Sequence, residues 1–281
     1  MVEAENFGKV AHSLITVVVV KSTHNYMLYL RYLKLDSNEI RYGWLEGTSI
    51  GAVTGDLYGN AQREGIVAEL RDVKVLPPVT PSKIIAVSHN HLSRLTERGL
   101  EKPDIPLISL KPPSAIIGHR DEIILPPQSS QVEHEAELAV LIGRRAKWVS
   151  VEDALKFVWG YTCANDVTAR DIQQRDAQQT RGKGFDTFCP LGPCVSTDVD
   201  AADVVITCSV NGQVRQMAST RELIFSVPQL IAFISSVMTL EQGDVILTGT
   251  SAGVGPLVAG DTVDINIEGI GTLSNAVKNA T

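Results

Sequence analysis

Residues 131–143 read QVEHEAELAVLIG: three glutamates at alternate positions run without a break into an apolar segment. Successive side chains of a strand take opposite faces, so a strand here sets Glu133, Glu135 and Glu137 on one face and Val132, His134, Ala136 and Leu138 on the other. Like charges on one face repel, and burial of the following LAVLI removes the water that would screen them. The stretch must therefore lie along an exposed edge, where charge deters aggregation, or some positive species must meet it.

A further carboxylate stands in GYTCANDVTARDIQQRD, where Asp166 follows the apolar FVWGYTCA and Thr168, Ala169 and Arg170 begin a helix whose face carries Gln173. Three carboxylates with no paired histidine or cysteine form a hard-oxygen set, which points to magnesium, manganese or calcium and away from zinc. In this reading a dication neutralises Glu135 and Glu137, Asp166 completes the set, and Glu133 lies outside it or orients it. Lys183 stands between two glycines in TRGKGFD, where flexible backbone lets a loop approach a ligand closely. TGTSAGVG puts Thr248 and Thr250 at a strand end before glycines, offering hydroxyl and backbone N–H donors to an anion. It lacks the spacing and the lysine of a P-loop.

The chain has 281 residues, 44% hydrophobic and 20% charged, an ordinary globular composition with ample material for a core. Its net charge of -7, with no Lys/Arg stripe, argues against a nucleic-acid partner. Cys163, Cys189, Cys194 and Cys208 form no C-x-x-C pair and read as buried reduced thiols of a cytoplasmic protein. The apolar run Leu14–Val20 is too short to span a bilayer, and Glu3 and Glu5 precede it where a signal peptide would be basic. No membrane partner is expected.

Along the chain, LITVVVV, MLYLRYL and IRYGWLEG read as strands, with LDSNE as a hairpin connection. Pro77, Pro78 and Pro81 mark a boundary near residues 75–82. KIIAV, PLISL and ELAVLIG read as buried strands, and Ser150 with Asp153 forms a capping pattern that opens a short helix in SVEDALKFVWGYT. SVPQLIAFISSVMTL is the best helix, with Ser226 as its cap and Pro228 in its first turn. GDVILTGT, GDTVDINIEG and GTLSNAV close the chain as strands. The expected class is β-rich α+β.

The segments EHEAELAVLIGRRA, GYTCANDVTARDIQ, KGFDTFCPLGP, NGQVRQ, LEQGDVILTGTSAGVG and GDTVDINIEGIGTLSN resemble, in order and spacing, the fumarylacetoacetate hydrolase superfamily, over about residues 27–278. The resemblance implies the bacterial-type layout: an extension at 1–26, a small N-terminal α/β domain at 27–78 and a catalytic domain of mixed β-roll form at 79–281, in a homodimer. Family-like sequence begins at MLYLRYL, which makes Met27 the expected functional start. By motif, Glu135, Glu137 and Asp166 match residues that bind Mg2+ or a similar ion such as Mn2+ or Ca2+. Arg170 and Gln173 match residues facing the substrate, and Lys183 matches the lysine that polarises it. Thr250 matches the threonine of a T-G-T-P loop that holds a substrate carboxylate; the loop's proline is Ser251 here.

The chain departs from the family in AVSHNHLSRLTERG. Relatives read N-Y-x-x-H-x-x-E, whose histidine and glutamate activate water; aligned on Asn90, this chain has His91 for the tyrosine, Arg94 for the histidine and Glu97 for the glutamate. Arginine stays protonated and cannot act as a base. His91 or His89 is the candidate to take over, with Glu97 retained. The resemblance thus implies a metal-dependent hydrolase that cleaves a carbon-carbon bond in a 2,4-dioxo acid through an enolate. The alternative is an isomerase, tautomerase or decarboxylase of 2-oxo or hydroxymuconate-like acids in aromatic catabolism, which needs only the enolate-stabilising half.

Overall fold

The computed structural model describes residues 26–280. The apolar run Leu14–Val20 and nearly all of the expected extension lie outside the described residues. Among the described residues strands dominate, joined by four α-helices: α1 (Leu92–Arg98), α2 (Arg170–Arg175), α3 (Thr180–Lys183) and α4 (Val227–Val237). The β-rich α+β class holds. Among the described residues, no helix is long and apolar enough to cross a membrane.

The centre is a 12-stranded sheet. Ala136–Ile142 is its middle strand, buried at every position, as expected of a near-continuous apolar run covered on both faces. Val158–Asn165 pairs with it antiparallel on one side and Val245–Leu247 on the other. Ile84–Ser88 follows, parallel to Val245–Leu247, and Leu107–Lys111 ends the path. On the far side the order runs through Cys189–Ser196 to Leu28–Lys34 and its hairpin partners, so the N-terminal segment extends this sheet by strand pairing. A second, 5-stranded sheet contains Val205–Val210, Gln213–Ser219, Thr262–Ile267, Gly271–Asn279 and Glu122–Leu125.

Three expectations are corrected. Residues 27–78 carry strands and one 3-10 turn, Leu70–Asp72, but no α-helix, because short β-branched and aromatic runs there pair locally in hairpins. The helix expected after Ser150 is only a 3-10 turn, Ala154–Phe157; the β-formers of VWGYT are drawn at once into the central strand between two neighbours. Leu107–Lys111 is an edge strand, with Leu107 and Leu110 exposed. The helix at α4 matches its sequence: Gln229 Oε1 accepts the Ser226 N–H (2.8 Å) in a capping box, and Leu230, Ile231 and Ile234 are buried. All four cysteines are free and buried, and loss of hydration pushes their thiols up, those of Cys189, Cys194 and Cys208 to about 12.

Candidate metal and substrate site

Strand register brings the acidic residues together. Ala136 stands opposite Asn165, and one step further Glu135 meets Asp166, whose N–H donates to the Glu135 carbonyl (2.9 Å). Glu137 lies two residues along on the same face. On the other flank the register Ala139 to Leu247 carries Glu137 to Gly249, whose N–H donates to the Glu137 carboxylate (2.6 Å). Glu135, Glu137 and Asp166 are all buried, with one carboxylate oxygen of each within 4.8 Å of the others. Gly249 is required here: its φ is 102°, and a Cβ would come within 2.8 Å of Asn90 Cβ.

Three buried cations answer these carboxylates in part, Arg170 and Lys183 on the glutamate stripe and Lys111 on Asp166. Arg170, at the start of α2, donates through Nε to Glu133 (2.7 Å) and through Nη2 to Glu135. Lys183, at the end of α3, bonds Glu135 (3.0 Å), Asp166 and the Thr168 hydroxyl (3.0 Å). Lys111 ends the edge strand and reaches in to Asp166 Oδ1 (2.6 Å) and the Val167 carbonyl (3.1 Å) while only 1% exposed. Glu133 therefore belongs to Arg170, with Gln131 Nε2 on its other oxygen (2.6 Å). Thr168 and Ala169 pair with Val132–Glu133 as a short ladder, and the helix starts only at Arg170.

The charges do not balance. Burial opposes ionisation of Glu135, but Lys183 and Arg170 hold its carboxyl well below the usual range. Burial also works against the Lys183 charge, and Asp166 and Glu135 outweigh it, so the ammonium is held on. Among the described residues Glu137 has no lysine or arginine ion partner. Burial, then the charges of Asp166 and Glu135, raise its pKa well above the usual range. Such a carboxylate keeps a proton unless a cation replaces it. Three converging hard oxygens, one on a carboxylate lacking its own cation, fit a dication of the magnesium, manganese or calcium type.

The candidate substrate residues surround this cluster. Gln173 Oε1 accepts from Arg170 Nη1, and its Nε2 donates to Gln179 Oε1 (3.3 Å). Thr250 donates its hydroxyl to the Ala136 carbonyl (2.9 Å) and accepts from Gln216 Nε2 (2.8 Å). Gln216 is a buried hub: its Nε2 also donates to the Ser251 carbonyl (3.1 Å), while its Oε1 accepts the Ala136 N–H (3.2 Å) and lies 3.0 Å from His134 Nδ1. His134 is thus tied to the second sheet and is not part of the carboxylate set. Sequence reasoning missed Lys111 and Gln216. Their signals were slight: a lysine closing the apolar LISL before two prolines, and the last residue of NGQVRQ.

The α1 region is organised differently. Glu97 Oε1 accepts the Gly253 N–H (3.0 Å), its Oε2 pairs with Arg94, and Ser93 Oγ accepts the Ala252 N–H (3.2 Å). Burial opposes the Glu97 charge, but Gly253 and Arg94 lower its pKa overall. His91 is not brought to the carboxylates: it is buried at the α1 start, with Nδ1 2.9 Å from Ser93 Oγ and 3.5 Å from Glu222. Loss of hydration lowers its pKa. His89 is exposed, and the charges of Arg98, Glu135, Arg94 and Arg170 all act on it.

A family model described as Fumarylacetoacetate (FAA) hydrolase C-terminal matches residues 83–278, and a Rv2993c-like N-terminal model matches residues 27–78. The mitochondrial oxaloacetate tautomerase FAHD2A of Homo sapiens is 41% identical over 241 residues, 79% of this chain and 77% of that protein. The crystal structure of 5-carboxymethyl-2-hydroxymuconate delta-isomerase from Mycobacterium smegmatis superposes with a TM-score of 0.84 at 44% identity, covering 90% of this chain and 100% of that one. Maleylpyruvate hydrolase from Sphingobium sp. SYK-6, in complex with manganese (II) ion and pyruvate, superposes with a TM-score of 0.72 at 31% identity, over 90% and 100% of the two chains.

Proposed function

Because the chain belongs to the fumarylacetoacetate hydrolase family, whose members include isomerases, tautomerases and hydrolases, we propose that it is a divalent-metal-dependent tautomerase or isomerase of 2-oxo acids. The observation that carries this choice is the state of Glu97, bound on one oxygen by Gly253 N–H and on the other by Arg94. A carboxylate so held is a poor base, and its arginine partner cannot accept a proton. Enolisation asks less of this region than hydrolysis does, because no water need be activated.

Glu135, Glu137 and Asp166 would hold the ion, magnesium or manganese in this proposal, which supplies positive charge to the substrate oxygens as an enolate develops. Lys183, kept protonated by its acidic neighbours, donates a hydrogen bond to the developing oxyanion and does not serve as the base. Arg170 and Gln173 form a polar wall for the rest of the acid. Thr250, fixed between Ala136 and Gln216, presents its loop to a substrate carboxylate.

Hydrolysis of a 2,4-dioxo acid is the second reading, favoured by the retention of Glu97 beside the Thr250 loop. Decarboxylation draws on the same enolate half. A panel of oxaloacetate, hydroxymuconate analogues and acylpyruvates with added Mg2+ or Mn2+, followed by ultraviolet absorbance and NMR, separates the three. Keto-enol or double-bond isomers as the only products support the proposal. Pyruvate plus a carboxylic acid as the main products replaces it with hydrolysis, and carbon dioxide replaces it with decarboxylation.

A further inference from the structure

We propose that His89 moves the substrate proton, taking the part for which the Arg94–Glu97 pair is unfitted. This role presupposes the enolising activity proposed above.

Position comes first. His89 follows the strand Ile84–Ser88, which runs parallel to Val245–Leu247 with Ile85 beside Ile246 and Ala86 beside Leu247. Continued, that register sets Val87, Ser88 and His89 beside Thr248, Gly249 and Thr250. The close approach is independently visible at Gly249, where a Cβ would meet Asn90 Cβ at 2.8 Å and the Val87 carbonyl at 3.2 Å. Gly249 is the residue whose N–H holds Glu137, so the segment around His89 runs beside the strand end that holds this carboxylate.

Backbone conformation is the second observation. His89 has a φ of 57°, a left-handed conformation uncommon for a residue with a side chain. Both neighbours are pinned. Ser88 Oγ donates to Gln179 Oε1 (3.1 Å), which joins the Gln173–Arg170 wall. The Asn90 side chain donates to the Thr248 carbonyl (2.8 Å) and the Phe225 carbonyl (3.0 Å) and accepts the Phe225 N–H (2.7 Å). Strain held in place by surrounding bonds is characteristic of residues whose direction matters.

Third, His89 is uncommitted. Of the described histidines, His91, His119 and His134 each use a ring nitrogen in a hydrogen bond within the chain, whereas His89 makes none. The charged groups facing it are Arg98 and Arg94 from α1, Glu135 from the carboxylate cluster and Arg170 from α2. Partial loss of hydration, together with the three arginines, favours the neutral imidazole, while Glu135 favours the imidazolium formed on proton uptake.

In the step, the C3–H bond of a 2-oxo acid breaks and its proton passes to the neutral imidazole. The C–H electron pair forms the C2–C3 double bond, and the carbonyl π pair moves to the C2 oxygen. The imidazolium then gives its proton to that oxygen, releasing the enol and restoring neutral His89. No oxidant, reductant or second reactant is consumed.

The full chain loaded with Mn2+ tests this with oxaloacetate, by enol absorbance and by NMR of deuterium entry at C3. His89→Asn suits the left-handed backbone and removes the base, and it should lose about 100-fold or more in kcat with little change in KM or in Mn2+ affinity. The acid limb of the wild-type profile, at or below the ordinary histidine value of about 6.5, should vanish. His89→Gly relieves the backbone entirely, and added imidazole should restore part of its rate. If wild type enolises oxaloacetate and His89→Asn does so equally well with the same acid limb, His89 is not the proton carrier. Absence of rescue in a folded, Mn2+-binding His89→Gly would count against it too. A wild-type protein that enolises no oxaloacetate overturns the parent activity instead, whatever the variants do.

Discussion

The carboxylate cluster and the α1 segment face the same space but are built on opposite principles. Glu135, Glu137 and Asp166 are placed by the register of three adjacent strands at the centre of the main sheet, and each is buried. His89, Arg94 and Glu97 follow a strand next to the sheet edge, and α1 is tied to the Ala252–Gly253 loop only through the side chains of Ser93 and Glu97. Moving a carboxylate of the first group means moving the core. Changing a residue of the second leaves every strand pair intact. A chain built this way can keep its charge-stabilising half fixed while the half that handles protons or water is exchanged.

The sharpest way to break the contrast is at Glu137. Glu137→Gln should weaken Mn2+ binding by about 100-fold or more and abolish turnover, measured by calorimetric titration and the oxaloacetate assay. The same variant should raise the stability of the metal-free protein at pH 7 by roughly 1–3 kcal/mol, because a neutral isostere removes the cost of protonating this buried carboxyl on folding. Thermal melts with and without Mn2+ check both signs together. A variant that loses stability in both conditions would mean that Glu137 is already compensated by the protein alone.

Lys111 probes the core side next. Lys111→Met leaves Asp166 with Lys183 but strips one buried ion partner, and should cost about 3 kcal/mol in denaturant unfolding. Loss of less than about 1 kcal/mol, the scale of surface pairs, would place Lys111 outside the cluster's energetics. On the α1 side, Glu97→Gln keeps an acceptor for Gly253 and should change kcat/KM less than about 3-fold, whereas loss of a working base would cost about 100-fold or more.

The smallest effects are in pH dependence, and their signs differ between groups. The Glu137 pKa is raised in the folded metal-free protein, so its contribution to stability is present below the unfolded value and is lost as pH rises through the folded one. Mn2+ must displace that proton, so its affinity should climb with pH over the same window, with proton release visible in buffers of different ionisation enthalpy. His119 acts in the opposite sense: burial lowers its pKa to about 4, and its Nδ1 accepts the Ser274 N–H. The unfolded chain takes up that proton first, so stability should fall as pH drops from 6.5 towards about 4.

Much of the carboxylate half was legible in the sequence, for a physical reason. Period-two acidic positions entering a fully apolar strand admit few arrangements, and the register that buries LAVLI also sets Glu135 against Asp166. The positive charge inferred from the stripe was incompletely identified, because Lys111 is distant in sequence and reaches Asp166 only through the order of the sheet. Gln216 was illegible likewise, its partners standing 34 and 80 residues away. The choice between His89 and His91 could not be made from spacing. It depends on a left-handed φ at His89 and on the contacts of His91 with Ser93 and Glu222, neither of which a linear pattern encodes.

Diffraction from crystals grown with Mn2+, collected on both sides of the manganese absorption edge, tests most directly whether the glutamate stripe is there to hold a dication. One strong anomalous peak should lie about 2.0–2.6 Å from oxygens of Glu135, Glu137 and Asp166, the span of hard-cation bonds to carboxylates. A map with no peak there, and with those side chains still satisfied by Lys111, Lys183 and Arg170 alone, would contradict it.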